Sequence, residues 1–155
     1  MGRLSELRTH VNHELEMIPD PKTRIGAVAH LYGVSLAATM LAKKRRLDPE
    51  LASMAAMLHD LWAYKNGSYE DHAHRGATLA REILESLKLT TAEETDTICS
   101  MIYHHDDKLI VDGPMEELLK DADVVHHCMN DLSKAVKEKE KARFESLCKE
   151  FDMEA

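Results

Sequence analysis

Apolar residues recur at three- and four-residue spacing along nearly the whole chain, which is the period of amphipathic helices. Leu4, Leu7, Val11, Leu15 and Ile18 predict a first helix, stopped by Pro19 and Pro21. A second starts near Thr23, carries the stripe Ala27, His30/Leu31, Val34, Ala37/Ala38 and Leu41, and ends in the basic run 43–46, where cations suit the helix dipole. Asp48 followed by Pro49 reads as a cap and a first-turn proline. That third helix carries Leu51, Ala55, Leu58 and the pair His59-Asp60, and the turn-rich stretch YKNGSYED follows as a loop. A fourth helix is expected over 71–88. A fifth opens at the capping box Thr91/Glu94 and ends near His104-His105. DDKLIVDG reads as loop, and Pro114 opens a sixth helix through Asp123 and His127. The segment 133–151 reads as a charged final helix whose KEKEK run is a solvated face. No alternating strand pattern, glycine-rich phosphate loop or internal repeat interrupts this. The expected fold is all-α, a compact single-domain helical bundle of about six to seven helices.

Polar residues fall on the apolar stripes in five of these helices. His30 is in phase with Val34, Ala37 and Leu41. His59 lies with Ala52, Ala55 and Ala56, a small-residue face that lets helices approach. His72 shares a face with Gly76, Leu79 and Ile83, and His105 with Ile98, Met101 and Ile102. Asp123 and His126 lie with Leu119. Buried polar groups need partners. One or two divalent ions would satisfy imidazoles and carboxylates together, and such ligands suit Mn, Fe, Co, Ni or Zn. No cysteine occupies these positions, which argues against a thiolate zinc site. His10 and His13 read as ordinary hydrogen-bonded or surface residues, and His126 and His127 take the same reading.

Composition narrows the partners. The 155 residues are 44% hydrophobic and 31% charged, with a net charge of −8, the balance of an ordinary globular domain. The negative field argues against nucleic acid or an anionic membrane as the main partner. A bound metal can reverse that field locally for a small anionic substrate. No apolar run is expected to span a bilayer, and the N-terminus lacks a signal-peptide centre. Cys99, Cys128 and Cys148 form no CxxC pair, and reduced thiols fit a cytoplasmic location. The ten histidines are the one compositional oddity, most of them between His59 and His127.

The order of these residues resembles the HD-domain superfamily: VAHLYGVSLAA with His30, AAMLHDLW with His59-Asp60, and LLKDADVVHH with Asp123. The resemblance covers roughly residues 23–130, as a core on which the helices 1–18 and 133–151 pack within one domain, 1–155. It implies that His30, His59, Asp60 and Asp123 bind a divalent metal, with His59 and Asp60 at the catalytic centre. Asp121 is the rival for the last ligand and is otherwise a solvent-facing carboxylate. Many members hold a second metal. DHAHRGATLAREIL offers His72, with His74 as alternative, and MIYHHDDK offers His105, with His104 as alternative. Asp60 would bridge the two ions.

The activity so implied is a metal-dependent phosphohydrolase, using Mn, Fe, Co, Ni, Zn or Mg to activate water against the phosphate ester of a nucleotide or other small molecule. Lys108 and Arg75 are candidate phosphate contacts, with Lys65 a weaker one; each also reads as a plain surface cation. Two other readings stay open: a dinuclear-iron oxygenase of the same superfamily, and a metal-binding regulatory protein without turnover. A structural bundle without metal is the bland alternative.

Overall fold

The computed structural model describes all of residues 1–155. Helix α1 (Arg3–Glu16) buries Leu7, Val11 and Leu15 and stops before Pro19. Asp20 caps α2 (Pro21–Arg45) by accepting from the Thr23 backbone N–H. Arg46 ends α2 in the left-handed region, with φ 58°. Asp48 caps α3 (Pro49–Leu58) by accepting from the N–H groups of Glu50 and Leu51. Every residue of α3 from Leu51 to Leu58 is buried, so this is a central helix covered on all sides.

The third helix does not run through His59-Asp60 as expected. The chain turns there and re-enters a short helix, α4 (Leu61–Asn66), which ends at Gly67 with φ 61°. Half of YKNGSYED, residues 64–67, therefore belongs to α4 and its cap, and with this short helix counted the chain has eight α-helices. α5 (His72–Leu87) and α6 (Ala92–His104) form a hairpin, and both halves of the Thr91/Glu94 capping box are present. α7 (Pro114–Met129) lies against α2, and α8 (Lys141–Glu150) follows a 3-10 turn at Glu138–Glu140. One contiguous core draws on all eight helices, with α2 and α3 at its centre.

Two further expectations fail. α2 is long and apolar enough to cross a bilayer by length and composition alone, contrary to the sequence reading. Half of that window is buried in the bundle, and it carries His30 into a polar centre, as a core helix does. The KEKEK run is not simply a solvated face. Glu140 is 1% exposed, and its Oε1 lies 2.7 Å from His127 Nδ1. The segment between α7 and α8 is drawn inward by that bond, so no single helix spans 133–151.

Candidate metal centre

The helices converge on a buried cluster of imidazoles and carboxylates. His30 comes from the middle of α2, Asp123 from α7, and His59-Asp60 from the break after α3. Successive residues on a regular helix point about 100° apart. With φ −112° and ψ 6°, Asp60 leaves the helical path, which brings its carboxylate and the His59 ring to the same point. Asp60 stands at the start of α4 yet makes no cap bond, so both oxygens are free for the cluster.

Those two oxygens are shared between two groups. Oδ2 lies 3.1 Å from His30 Nε2 and 3.4 Å from His59 Nε2. Oδ1 lies 3.2 Å from His105 Nε2 and 3.4 Å from His72 Nε2. Asp123 Oδ1 completes the first group, 3.3 Å from His30 Nε2 and 3.4 Å from His59 Nε2. The ligand atoms of His30, His59, Asp60 and Asp123 lie within 4.8 Å of one another, and so do those of Asp60, His72 and His105. Between the sequence alternatives, the structure brings His72 and His105 to the cluster. It leaves His74 stacked on Tyr103 and His104 on the surface near Asp112.

The imidazoles are held in one orientation. The Nδ1 atoms of His59, His72 and His105 lie 2.6, 2.9 and 2.6 Å from the carbonyls of Ala56, Tyr69 and Ile102. Each donates its Nδ1–H there and turns Nε2 inward. The Ala56 and Ile102 carbonyls stand in the last turns of their helices, and Ile102 also accepts from the His105 backbone N–H at 3.2 Å, so the carbonyl that ends the helix also fixes the ring. His30 has a different support, His126, with the two Nδ1 atoms 2.9 Å apart. Burial and the neighbouring His30 and His127 push His126 down to about 4, so it stays neutral and accepts from His30 Nδ1–H. Gly33 makes room, since a Cβ there would collide with the His126 ring. Gly76 does the same for α5, where a Cβ would lie 3.1 Å from the His59 carbonyl.

Without a metal ion the Asp60 and Asp123 carboxylates are balanced by the Lys108 ammonium and a protonated His59. Burial works against ionisation of Asp60, yet the His59 charge and the bonds from His105 and His30 hold its carboxyl well below the usual range. Asp123 is likewise held low against burial by the Lys108 ammonium and by His30 and His59. Burial opposes charge on His59, but Asp60 and Asp123 raise it to about 10. His30 is raised against burial by the same two carboxylates, and burial lowers His105. One acceptor has no partner: Asp123 Oδ1 is buried and makes no hydrogen bond. Three imidazole nitrogens crowd it at 3.3 to 3.4 Å without hydrogen-bond geometry. An orphaned buried carboxylate oxygen is costly. A cation shared by these oxygens and neutral Nε2 atoms removes that cost, so the donor set fits one or two divalent ions.

Several expectations change. Asp121 is neither a ligand nor solvent-facing, because Arg45 Nη2 lies 2.8 Å and Arg143 Nη1 3.2 Å from its oxygens. Lys108 is not a surface cation. It is buried, and its Nζ donates to Asp123 Oδ2 at 2.7 Å and to the His105 carbonyl at 2.6 Å. Its charge is committed to the cluster and does not face a ligand. Arg75 stacks on Trp62, 4.9 Å from the ring centroid, outside the cavity above the cluster. Lys65 is paired with Glu14 at 2.5 Å. His126 and His127, read as ordinary, both touch the cluster, and Glu140 was missed altogether. The HH doublet one helical turn after Asp123 was the available signal.

A cavity of about 380 Å³ opens onto the cluster. Its walls include Tyr64, Tyr69, His126, His127 and the segment 134–137.

The HD domain family model matches residues 27–128. The crystal structure of a predicted HD superfamily hydrolase from an uncultured Thermotogales bacterium has the same fold. Its TM-score is 0.66 at 21% identity, over 97% of this chain and 90% of that one. No curated protein matches the chain. The matched span begins just before His30 and ends just after Asp123, enclosing every His and Asp of the two groups: the chain belongs to the HD domain family.

Proposed function

We propose that the protein is a metal-dependent phosphohydrolase acting on the phosphate ester of a nucleotide or other small phosphorylated molecule. The observation that carries this reading is the division of Asp60, one oxygen towards His30 and His59 and the other towards His72 and His105. A carboxylate so placed is suited to bridge two cations at the floor of a cavity, the arrangement that phosphoryl transfer to water uses. Bound there, divalent ions would acidify water and neutralise charge on phosphoryl oxygens.

The chain's own residues do the rest. His72 and His105 turn Nε2 lone pairs to the cluster because their Nδ1 protons are spent on backbone carbonyls, and His59, held the same way, does so once its Nε2 proton leaves. Lys108 holds Asp123 by Oδ2 and leaves Oδ1 for the cation. His59 carries a proton when no cation is present and must release it from Nε2 for a cation to enter. Tyr64 and Tyr69 form part of the wall where the organic portion of a substrate would rest.

Elemental analysis followed by a phosphatase screen over nucleotides and sugar phosphates, with Mn, Co, Ni and Mg, tests the reading. Metal-dependent phosphate release, lost in Asp60→Ala with helix content retained, is the expected result. A coloured iron protein that consumes oxygen and releases no phosphate would replace the reading with that of an oxygenase.

A further inference from the structure

The cavity is not walled by the helices alone. The segment 131–140 leaves α7 after Met129, and its residues 134–137 and 139–140 close one side of the cavity. One buried tie pins it: Glu140 bonds His127 at 2.7 Å, while Lys139 Nζ only touches Asp106 Oδ1, at 3.3 Å in an exposed pair. Lys134, Lys137 and Lys139 all line the cavity, together with His30, Asp60 and Asp123.

These lysines are not used up by ion pairs. Lys137 has no carboxylate within ion-pair distance, whereas its neighbours do: Lys134 pairs with Asp131 at 3.7 Å and Lys139 with Asp106 at 3.3 Å. Both of those pairs are substantially exposed, and such pairs are weak enough to be exchanged for a stronger anion. The cavity lining holds five carboxylates and three lysines. The buried Lys108 offsets Asp123 from behind, so one negative charge remains and a single divalent ion already leaves the site positive. A volume of about 380 Å³ exceeds what one phosphoryl group at the metal ligands would fill. Lysine suits the remainder, since its ammonium is a mobile point charge with three donors.

We propose that segment 131–140 is an anion clamp, in which Lys137 and Lys139 hold a second, non-scissile phosphate, so that the substrate class is a small molecule carrying at least two phosphate groups. The scissile group is assigned by the phosphohydrolase reading, on which this inference rests. Glu140 is a positioning residue: through His127 it sets the strap against the metal-ligand cluster.

Calorimetric titration of the full chain, loaded with Mn²⁺, with inorganic pyrophosphate and separately with inorganic phosphate tests the clamp. The wild type should prefer pyrophosphate. In the double variant Lys137→Ala, Lys139→Ala that preference should shrink by about tenfold or more, while phosphate affinity changes by about twofold or less. Both lysines are exposed, so the variant should keep its fold, checked by circular dichroism. Lys141→Ala, which removes a lysine paired with Glu138 outside the cavity, should leave both affinities unchanged. An unchanged preference in the double variant, or equal loss of both probes, would overturn the clamp. Turnover of 4-nitrophenyl phosphate is measured in parallel on the wild type. Its absence, with no turnover of any other ester, would sink the phosphohydrolase reading, and the pyrophosphate comparison would still decide the clamp.

Discussion

Lys108 and Asp123 form a buried ion pair that uses only half of the carboxylate. Nζ meets Oδ2 at 2.7 Å, and Oδ1 stays without a hydrogen bond among three imidazole nitrogens. The lysine thus supplies the charge that keeps Asp123 ionised and aims the other oxygen at the cluster. Removing one partner of a buried pair strands the other. Lys108→Met should therefore destabilise the metal-free protein by about 3 kcal/mol in urea unfolding. A loss below about 1 kcal/mol would show that the pair does not matter to the fold.

The choice between neighbouring histidines is testable residue by residue. His72→Ala and His105→Ala should each lower the metal content of the loaded protein by one ion per chain. His74→Ala and His104→Ala should leave it unchanged, since those rings lie against Tyr103 and Asp112. A fall in metal content on removing His104 would reverse the assignment.

Support of His30 by His126 predicts an effect at a distance from the metal. His126→Ala removes the partner of His30 Nδ1, and Gly33→Ala pushes the same ring away. Each should weaken metal affinity by about tenfold with helix content retained, the usual cost of losing the group that orients a ligand imidazole. Wild-type affinity in both variants would mean that His30 needs no support.

Glu117 gives a pH dependence away from the cluster. Burial raises its carboxyl, but Arg143 at 2.6 Å, the Asp112 backbone N–H and Lys120 at 3.2 Å outweigh that and lower it to about 2. A depressed carboxyl contributes stability that is fully present above its unfolded value and is lost as pH falls through the folded one. The contribution, about 2 kcal/mol after allowance for partial exposure, should fade between pH 4.5 and about 2. Glu117→Gln should be less stable than the wild type at pH 7, with the difference vanishing near pH 2. A constant difference across that range would contradict the linkage.

The helices, and the inward faces on which the clustered His and Asp residues sit, were legible in the chain because both are local. Asp48-Pro49 and Thr91/Glu94 announce their caps within four residues, and His30 and Asp123 sit in phase with their own apolar stripes. Three of the misreadings share one physical cause. Whether a charge is buried depends on partners that sequence spacing does not bring together. Asp121 is drawn inward by Arg45, 76 residues away. Glu140 is buried by His127 across a turn, inside a run that by composition belongs in water. Lys120, fully buried, ties down Asp112 and the Ile110 carbonyl, so a loop that looked free is anchored. The break at His59-Asp60 was invisible because apolar periodicity continues through it.

The central proposal is that His30, His59, Asp60, Asp123, His72 and His105 would hold two divalent ions, with Asp60 serving both groups. Elemental analysis of wild-type protein and Asp60→Ala, each loaded with Mn²⁺ and desalted, tests it most directly. Two ions per chain in the wild type, and none in a variant that keeps its helix content, is the predicted result. Equal metal content in the two proteins would contradict it.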